Sequence, residues 1–150
     1  FIVSLPVASG GPMATAPEPE TPLPQRVPSV LIVEDDDVVR AMITQFLGPD
    51  CQVSSCASAQ EAERIFEPSH GVVIIDLGLP DQSGDALALT LRSRVPALVT
   101  VLVTGWELHE EDPRRHAFDF HLKKPFTIGE LRHAIAKAAE LTRSRRDGAS

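Results

Sequence analysis

From Ser29 onward, apolar runs of strand length alternate with segments in which apolar residues recur at helical spacing. "VLIV" reads as a buried strand, and "DVVRAMITQFL" follows with Val38, Val39, Met42, Ile43, Phe46 and Leu47 on one stripe before "GPD" breaks the period. A weaker strand spans Gln52 to Ser55, and Ser58 is placed to cap a short helix carrying Ala62, Ile65 and Phe66. "GVVIID" is a second strongly buried strand, "LPDQSG" a turn and "DALALTLRSR" a third helix. "ALVTVLVTG" gives another apolar strand, and "WELHEEDPRRHAF" a short, irregular helical stretch interrupted by Pro113. After the brief strand "DFHL", "TIGELRHAIAKAAEL" opens on a Thr127 and Glu130 capping box and aligns Ile128, Leu131, Ile135 and Ala138. Strands and helices alternating without a hairpin signal predict an α/β fold, a parallel sheet with helices on both faces.

The first 28 residues break this pattern. Seven of the thirteen prolines fall there, and residues 9–28 have neither helical nor strand period, the composition of an extended linker. The domain is expected over residues 29–142, with 143–150 as a disordered tail. The formal net charge of -7 argues against nucleic acid as the main partner. Cys51 and Cys56 fit neither zinc spacing nor a disulfide scaffold, and no apolar run reaches the roughly 20 residues of a membrane span, so a soluble cytoplasmic segment without direct membrane contact is expected.

Candidate chemistry gathers at the predicted strand ends. Glu34 and Asp35 follow the first strand, Asp76 ends the third, Thr104 ends the fourth and Lys124 follows the fifth. Ligands of open parallel sheets bind outside those carboxyl ends. Three carboxylates in one cleft repel one another unless cations neutralise them, and a hard divalent ion such as Mg2+, together with a lysine, supplies the charge. Asp76, the lone acid at the end of a central strand, is then the candidate nucleophile for phosphoryl transfer. Lys124 and the Thr104 hydroxyl are placed to receive phosphoryl oxygens, and Gly105 keeps the approach open. Taken singly, Thr104 and Lys124 are ordinary residues, and Asp36 and Asp37 suit a helix start. Their order with Asp76 is what carries the reading. His70, His109, His116 and His133 show no ligand spacing and are expected at the surface, and Trp106 is expected in surface packing, with shielding of a phosphoryl group as the alternative.

"VEDDD", "IIDLGLPDQSG", "VLVTG" and "LKKPF" occur in the order and approximate spacing of one family, and the chain from about Val30 to Leu141 resembles a receiver domain of the two-component response regulators. The resemblance implies a flavodoxin-like five-stranded sheet of order 2-1-3-4-5, a receiver that catalyses only its own phosphorylation and dephosphorylation, and Asp76 as acceptor from a phosphohistidine donor. It also implies Mg2+ held by Asp35, Asp76 and the Gly78 backbone carbonyl, with Glu34 bound through water, and a cis peptide between Lys124 and Pro125. The implied partner is a histidine kinase or a histidine phosphotransfer protein, with a second copy of the chain left open.

Two features depart from the family. His121 stands where many receivers carry the Tyr or Phe that turns inward when the threonine shifts, so the switch residues are Thr104 and His121, with a pH-sensitive charge at the second. The stretch around Pro113 is poor in helix formers, which predicts an unwound fourth helix. "FIVSLPVA", residues 1–8, resembles the last strand of a histidine-kinase ATP-binding domain. With the linker, it points to the C-terminal receiver of a hybrid sensor histidine kinase, with membrane anchoring of the parent chain left open. A stand-alone regulator, a phosphorylation-independent binding module and a magnesium phosphodiesterase are the competing readings.

Overall fold

The computed structural model describes residues 29–49, 51–105 and 108–148. The expected kinase-strand remnant, the linker and Trp106 lie outside the described residues. Five strands form one parallel sheet: β1 Ser29–Val33, β2 Val53–Cys56, β3 His70–Asp76, β4 Val99–Thr104 and β5 Phe120–Lys123, in the order β2-β1-β3-β4-β5. This is the flavodoxin-like order expected from the resemblance.

Strand alternation divides the core in two. Leu31, Val33, Val73, Ile75 and Leu102 face one side, where Ala62 and Phe66 meet them with Leu87 and Leu91. These come from α2 Ala59–Ile65, the residue after it, and α3 Gly84–Arg94. Val30, Ile32, Val72, Ile74, Val101 and Val103 face the other side, against Ile43 and Leu47 of α1 Asp37–Leu47 and Leu131, Ile135 and Ala138 of α4 Ile128–Gly148. The period-two alternation of buried strands thus feeds two helical layers. Capping fixes the starts: Asp36 accepts from Val38 N and Val39 N, Ser58 Oγ accepts from Glu61 N, and Thr127 and Glu130 exchange bonds of 3.0 Å.

Two expectations are corrected. Residues 143–148 belong to α4 rather than to a disordered tail, because long-range bonds hold that part of the helix. Thr142 Oγ1 donates to Gly71 O at 3.1 Å, Arg145 reaches Leu98 O and Asp119, and Arg146 reaches Pro68 O. His70 is buried rather than at the surface. Its Nδ1 accepts from Glu67 N at 2.9 Å and its ring stacks on Phe66, so burial pushes its pKa down. Among the described residues between β4 and β5, the stretch expected to be irregular and unwound holds one 3-10 turn, Pro113–Ala117, capped by Asp112, in keeping with that expectation. The Arg114 guanidinium beside Asp112 holds that carboxyl down at about 2.

Candidate functional site

Glu34, Asp35 and Asp36 from the β1–α1 turn meet Asp76 and Gly78, Thr104 and Gly105, and Lys124 around one open cavity of about 370 Å³. Each arrives because a buried apolar strand stops at the sheet edge, where the chain can turn polar. Carboxylate oxygens of Glu34, Asp35 and Asp76 all lie within 4.8 Å of one another. Lys124 Nζ lies 2.6 Å from Glu34 Oε1 and 3.9 Å from Asp76 Oδ2. Lys124 N donates to Thr104 O at 2.9 Å, which seats the lysine beside the threonine across the β4–β5 edge. Thr104 is buried at 6% exposure. A Cβ on Gly105 would meet no atom within 4 Å, so this side of the cavity stays open.

The acid pair has its own supports. Glu34 N donates to Cys56 O at 3.1 Å, Asp36 N donates to Glu34 Oε2 at 3.1 Å, and Arg40 Nη1 donates to Glu34 O at 2.8 Å. Arg40 also pairs with Asp37. Glu34 is only 2% exposed, and burial pushes its carboxyl up to about 7, with the Lys124 ammonium and the Asp36 N–H pulling down and Asp76 pushing up. Burial works against the Lys124 charge, but Glu34 and Asp76 outweigh it and raise its pKa. Glu34 Oε1 is met by the Lys124 ammonium as a close ion pair.

Three carboxylates close together, an oxygen-only donor set, fit a hard divalent cation such as Mg2+. Across the cavity, α3 passes very close to the Asp76 backbone. A Cβ on Gly84 would lie 2.3 Å from Asp76 O and 2.9 Å from Leu77 Cα, so only glycine fits there. Gly84 N donates to Leu77 O at 2.8 Å, and Gly78 and Ser83 form an antiparallel bridge that closes the loop after Asp76.

The structure brings together Glu34, Asp35, Asp76, Gly78, Thr104 and Lys124, and the Lys124–Pro125 peptide is cis. His121 lies outside that cavity. It borders a neighbouring 170 Å³ pocket with Thr104, Leu108, Arg115 and Lys123, and packs edge-on to Phe118 at 6.5 Å between ring centroids. Desolvation of its ring and then the Arg115 charge lower its pKa, so it is an uncharged aromatic at neutral pH. Sequence reasoning missed Arg40 as a support of the acid pair; its only local signal is helical spacing from Asp37.

Residues 30–136 match the response regulator receiver domain family. The cyclic di-GMP phosphodiesterase of Thermotoga maritima is 31% identical over 115 residues, covering 73% of this chain and 30% of that protein, so the chain spans under a third of that relative's length. Among solved structures, a CheY-like receiver domain from Methylobacillus flagellatus is 30% identical with a TM-score of 0.66, over 75% of this chain and 99% of that one. The response regulator protein TrrA of Thermotoga maritima, solved in complex with Mg2+-BeF, shares the fold at 22% identity and a TM-score of 0.67, over 75% of this chain and 99% of that one. With a matching sequence family, sheet order and arrangement of strand-end residues, this chain belongs to the response regulator receiver domain family of two-component signalling.

Proposed function

We propose that this receiver is a Mg2+-dependent phosphoacceptor, with Asp76 taking a phosphoryl group from a phosphohistidine on a histidine kinase or a histidine phosphotransfer protein. The observation that carries this is the cluster of the Glu34, Asp35 and Asp76 carboxylates, of which Glu34 and Asp76 meet one lysine. Three acids against one ammonium leave a negative surplus that suits a divalent cation. Asp35, Asp76 and the Gly78 carbonyl would hold Mg2+, with Glu34 acting through water, and the ion's positive charge would favour the phosphoryl oxygens there. An Asp76 Oδ bonds to phosphorus as the bond from phosphorus to the donor's imidazole nitrogen breaks, and the imidazole leaves with that electron pair and takes up a proton. Lys124 turns from the carboxylates to the phosphoryl oxygens, and the Thr104 hydroxyl donates to another. The Mg2+-BeF complex of TrrA supports this reading by likeness of fold.

Thr104 borders both the acid cavity and the pocket beside His121, which supports a switch in which Thr104 moves toward the phosphoryl group and His121 repacks into the vacated space. The partner-binding face altered in this way is the β4–β5 side carrying the 3-10 turn. The "FIVSLPVA" resemblance and the proline-rich residues 9–28 support a place as the cytoplasmic receiver segment of a hybrid sensor histidine kinase. Among the described residues, no helix is long and apolar enough to cross a membrane.

Intact mass after incubation with Mg2+ and acetyl phosphate tests the phosphoacceptor reading. The expected result is an adduct of one phosphoryl group that disappears in Asp76→Asn and when Mg2+ is chelated. A folded wild-type protein that takes no phosphate would instead support the phosphorylation-independent binding module.

A further inference from the structure

The loop that follows Asp76 is fastened at its far end by an exposed residue. Asp81 Oδ1 accepts from Ala59 N at 2.9 Å and Asp81 Oδ2 from Gln60 N at 2.8 Å, the first two amides of α2. Fixing both oxygens of a solvated turn residue costs side-chain entropy, so the arrangement needs a compensating role. The other donors at that helix start are already met locally. Ser58 Oγ accepts from Glu61 N at 3.2 Å, Ala62 N donates to Ser58 O at 3.1 Å, and Glu61 Oε1 returns to Ala57 N at 3.1 Å. Ser58 and Glu61 thus cap the start of α2, with the Glu61 carboxylate reaching the amide of the residue before the N-cap. The two amides this leaves over are taken by the acceptor loop.

That connection closes a ring around the site. Helix α2 leaves the sheet just after Cys56, whose carbonyl accepts from Glu34 N. On one side, Lys124 spans Glu34 and Asp76 directly. On the other, the path runs from Asp76 through the Gly78–Ser83 loop and Asp81 to α2, and through Cys56 back to Glu34. The same two amides hold the Asp81 carboxyl below the usual carboxylate range, so the clamp is charged at neutral pH. We propose that Asp81 is a positioning residue: by clamping the acceptor loop to α2, it holds Asp76 and the Gly78 carbonyl in register with Glu34 and Asp35. Its geometry stands alone, and its consequence for metal and phosphate rests on the phosphoacceptor reading above.

Asp81→Ala, Asp81→Asn and Ser58→Ala, compared on the full chain, provide the test. Ser58→Ala also weakens the start of α2 but leaves the loop clamp intact, so it controls for helix stability alone. In metal-free protein, amide exchange over residues 78–84 is expected to be roughly tenfold faster in Asp81→Ala, unchanged in Ser58→Ala and intermediate in Asp81→Asn, whose amide keeps one acceptor oxygen. Mg2+ affinity by calorimetry is expected to fall by roughly threefold to tenfold in Asp81→Ala at a temperature where all variants are folded. Equal loop exchange in Asp81→Ala and Ser58→Ala, or no change in either, overturns the proposal, as does unchanged Mg2+ affinity despite a loosened loop. Should Asp81→Ala not fold, Asp81→Asn decides by the same comparison. If wild type binds neither Mg2+ nor phosphate, the phosphoacceptor reading fails, and loop exchange then decides the clamp by itself.

Discussion

At the carboxyl ends of the strands, Glu34 and Asp76 share Lys124 with Asp35 clustered beside them, whereas at the amino ends the single carboxylate of Asp119 is shared by Arg92 at 2.7 Å and Arg145 at 2.6 Å. Thr100 N adds a third donor to Asp119 at 3.0 Å. Burial raises the carboxyl pKa in both places, and the count of cationic partners decides which way the balance goes. Glu34 is pushed up to about 7, while Asp119 ends below the usual carboxylate range. A cluster that satisfies its own charge stabilises the fold; one that leaves negative charge over is poised to take a cation or react with an electrophile. The two ends of one sheet thus divide stability from chemistry.

The largest effect that would break the comparison is expected from Asp119→Ala. Removing the carboxylate strands two guanidiniums and a backbone amide, at a cost of roughly 3–5 kcal/mol in urea unfolding. A loss under about 1 kcal/mol would mean that the two clusters do not differ in kind. Arg145→Ala leaves Arg92 in place and is expected to cost about 1–2 kcal/mol, with faster amide exchange confined to the last turns of α4. Uniform exchange along α4 would show that its end is held by something other than this clamp.

Acid sharpens the same contrast. Because the folded pKa of Asp119 is depressed, its contribution is whole above the unfolded value near 4 and is lost as pH falls through the folded value. The gap in stability between wild type and Asp119→Ala should therefore narrow as pH falls below about 4. His70 acts in a milder range: its folded pKa is lowered, so its contribution is lost as pH drops below about 6.5, and His70→Gln should flatten that limb of the stability curve. The smallest change in stability is expected from Asp76→Asn without Mg2+. Relief of repulsion should leave it equal to wild type or up to about 1 kcal/mol more stable, even as the phosphate adduct vanishes. A marked destabilisation would place Asp76 with the structural cluster.

Much of the site was legible because strand ends are local features. "VLIV", "GVVIID" and "VLVT" are unambiguous buried runs, and the polar residues that close them must emerge at one edge once the strands are parallel. Asp81 reads in sequence only as a turn residue after Pro80, since its partners lie 21 and 22 positions earlier. His70 looks like a surface histidine until Phe66 and Ser54 are folded against it. The stretch around Pro113 was legible as a poor helix from the proline itself, but not as one 3-10 turn with Arg115 reaching back to Leu108 O.

The sequence by itself determined the strand and helix alternation, the helix starts marked by Asp36, Ser58 and Thr127, and the acids at the strand ends. Each follows from apolar period, capping chemistry or chain-local polarity. Tertiary structure alone decided which charges are satisfied. Whether a carboxylate is stabilised by two guanidiniums, as Asp119 is, or shares one lysine with another acid, as Asp76 does with Glu34, depends on residues brought together across the sheet. It also extended α4 through residues 143–148, since local propensity there is weak and the bonds from Thr142, Arg145 and Arg146 to Gly71, Asp119 and Pro68 exist only after the sheet has formed.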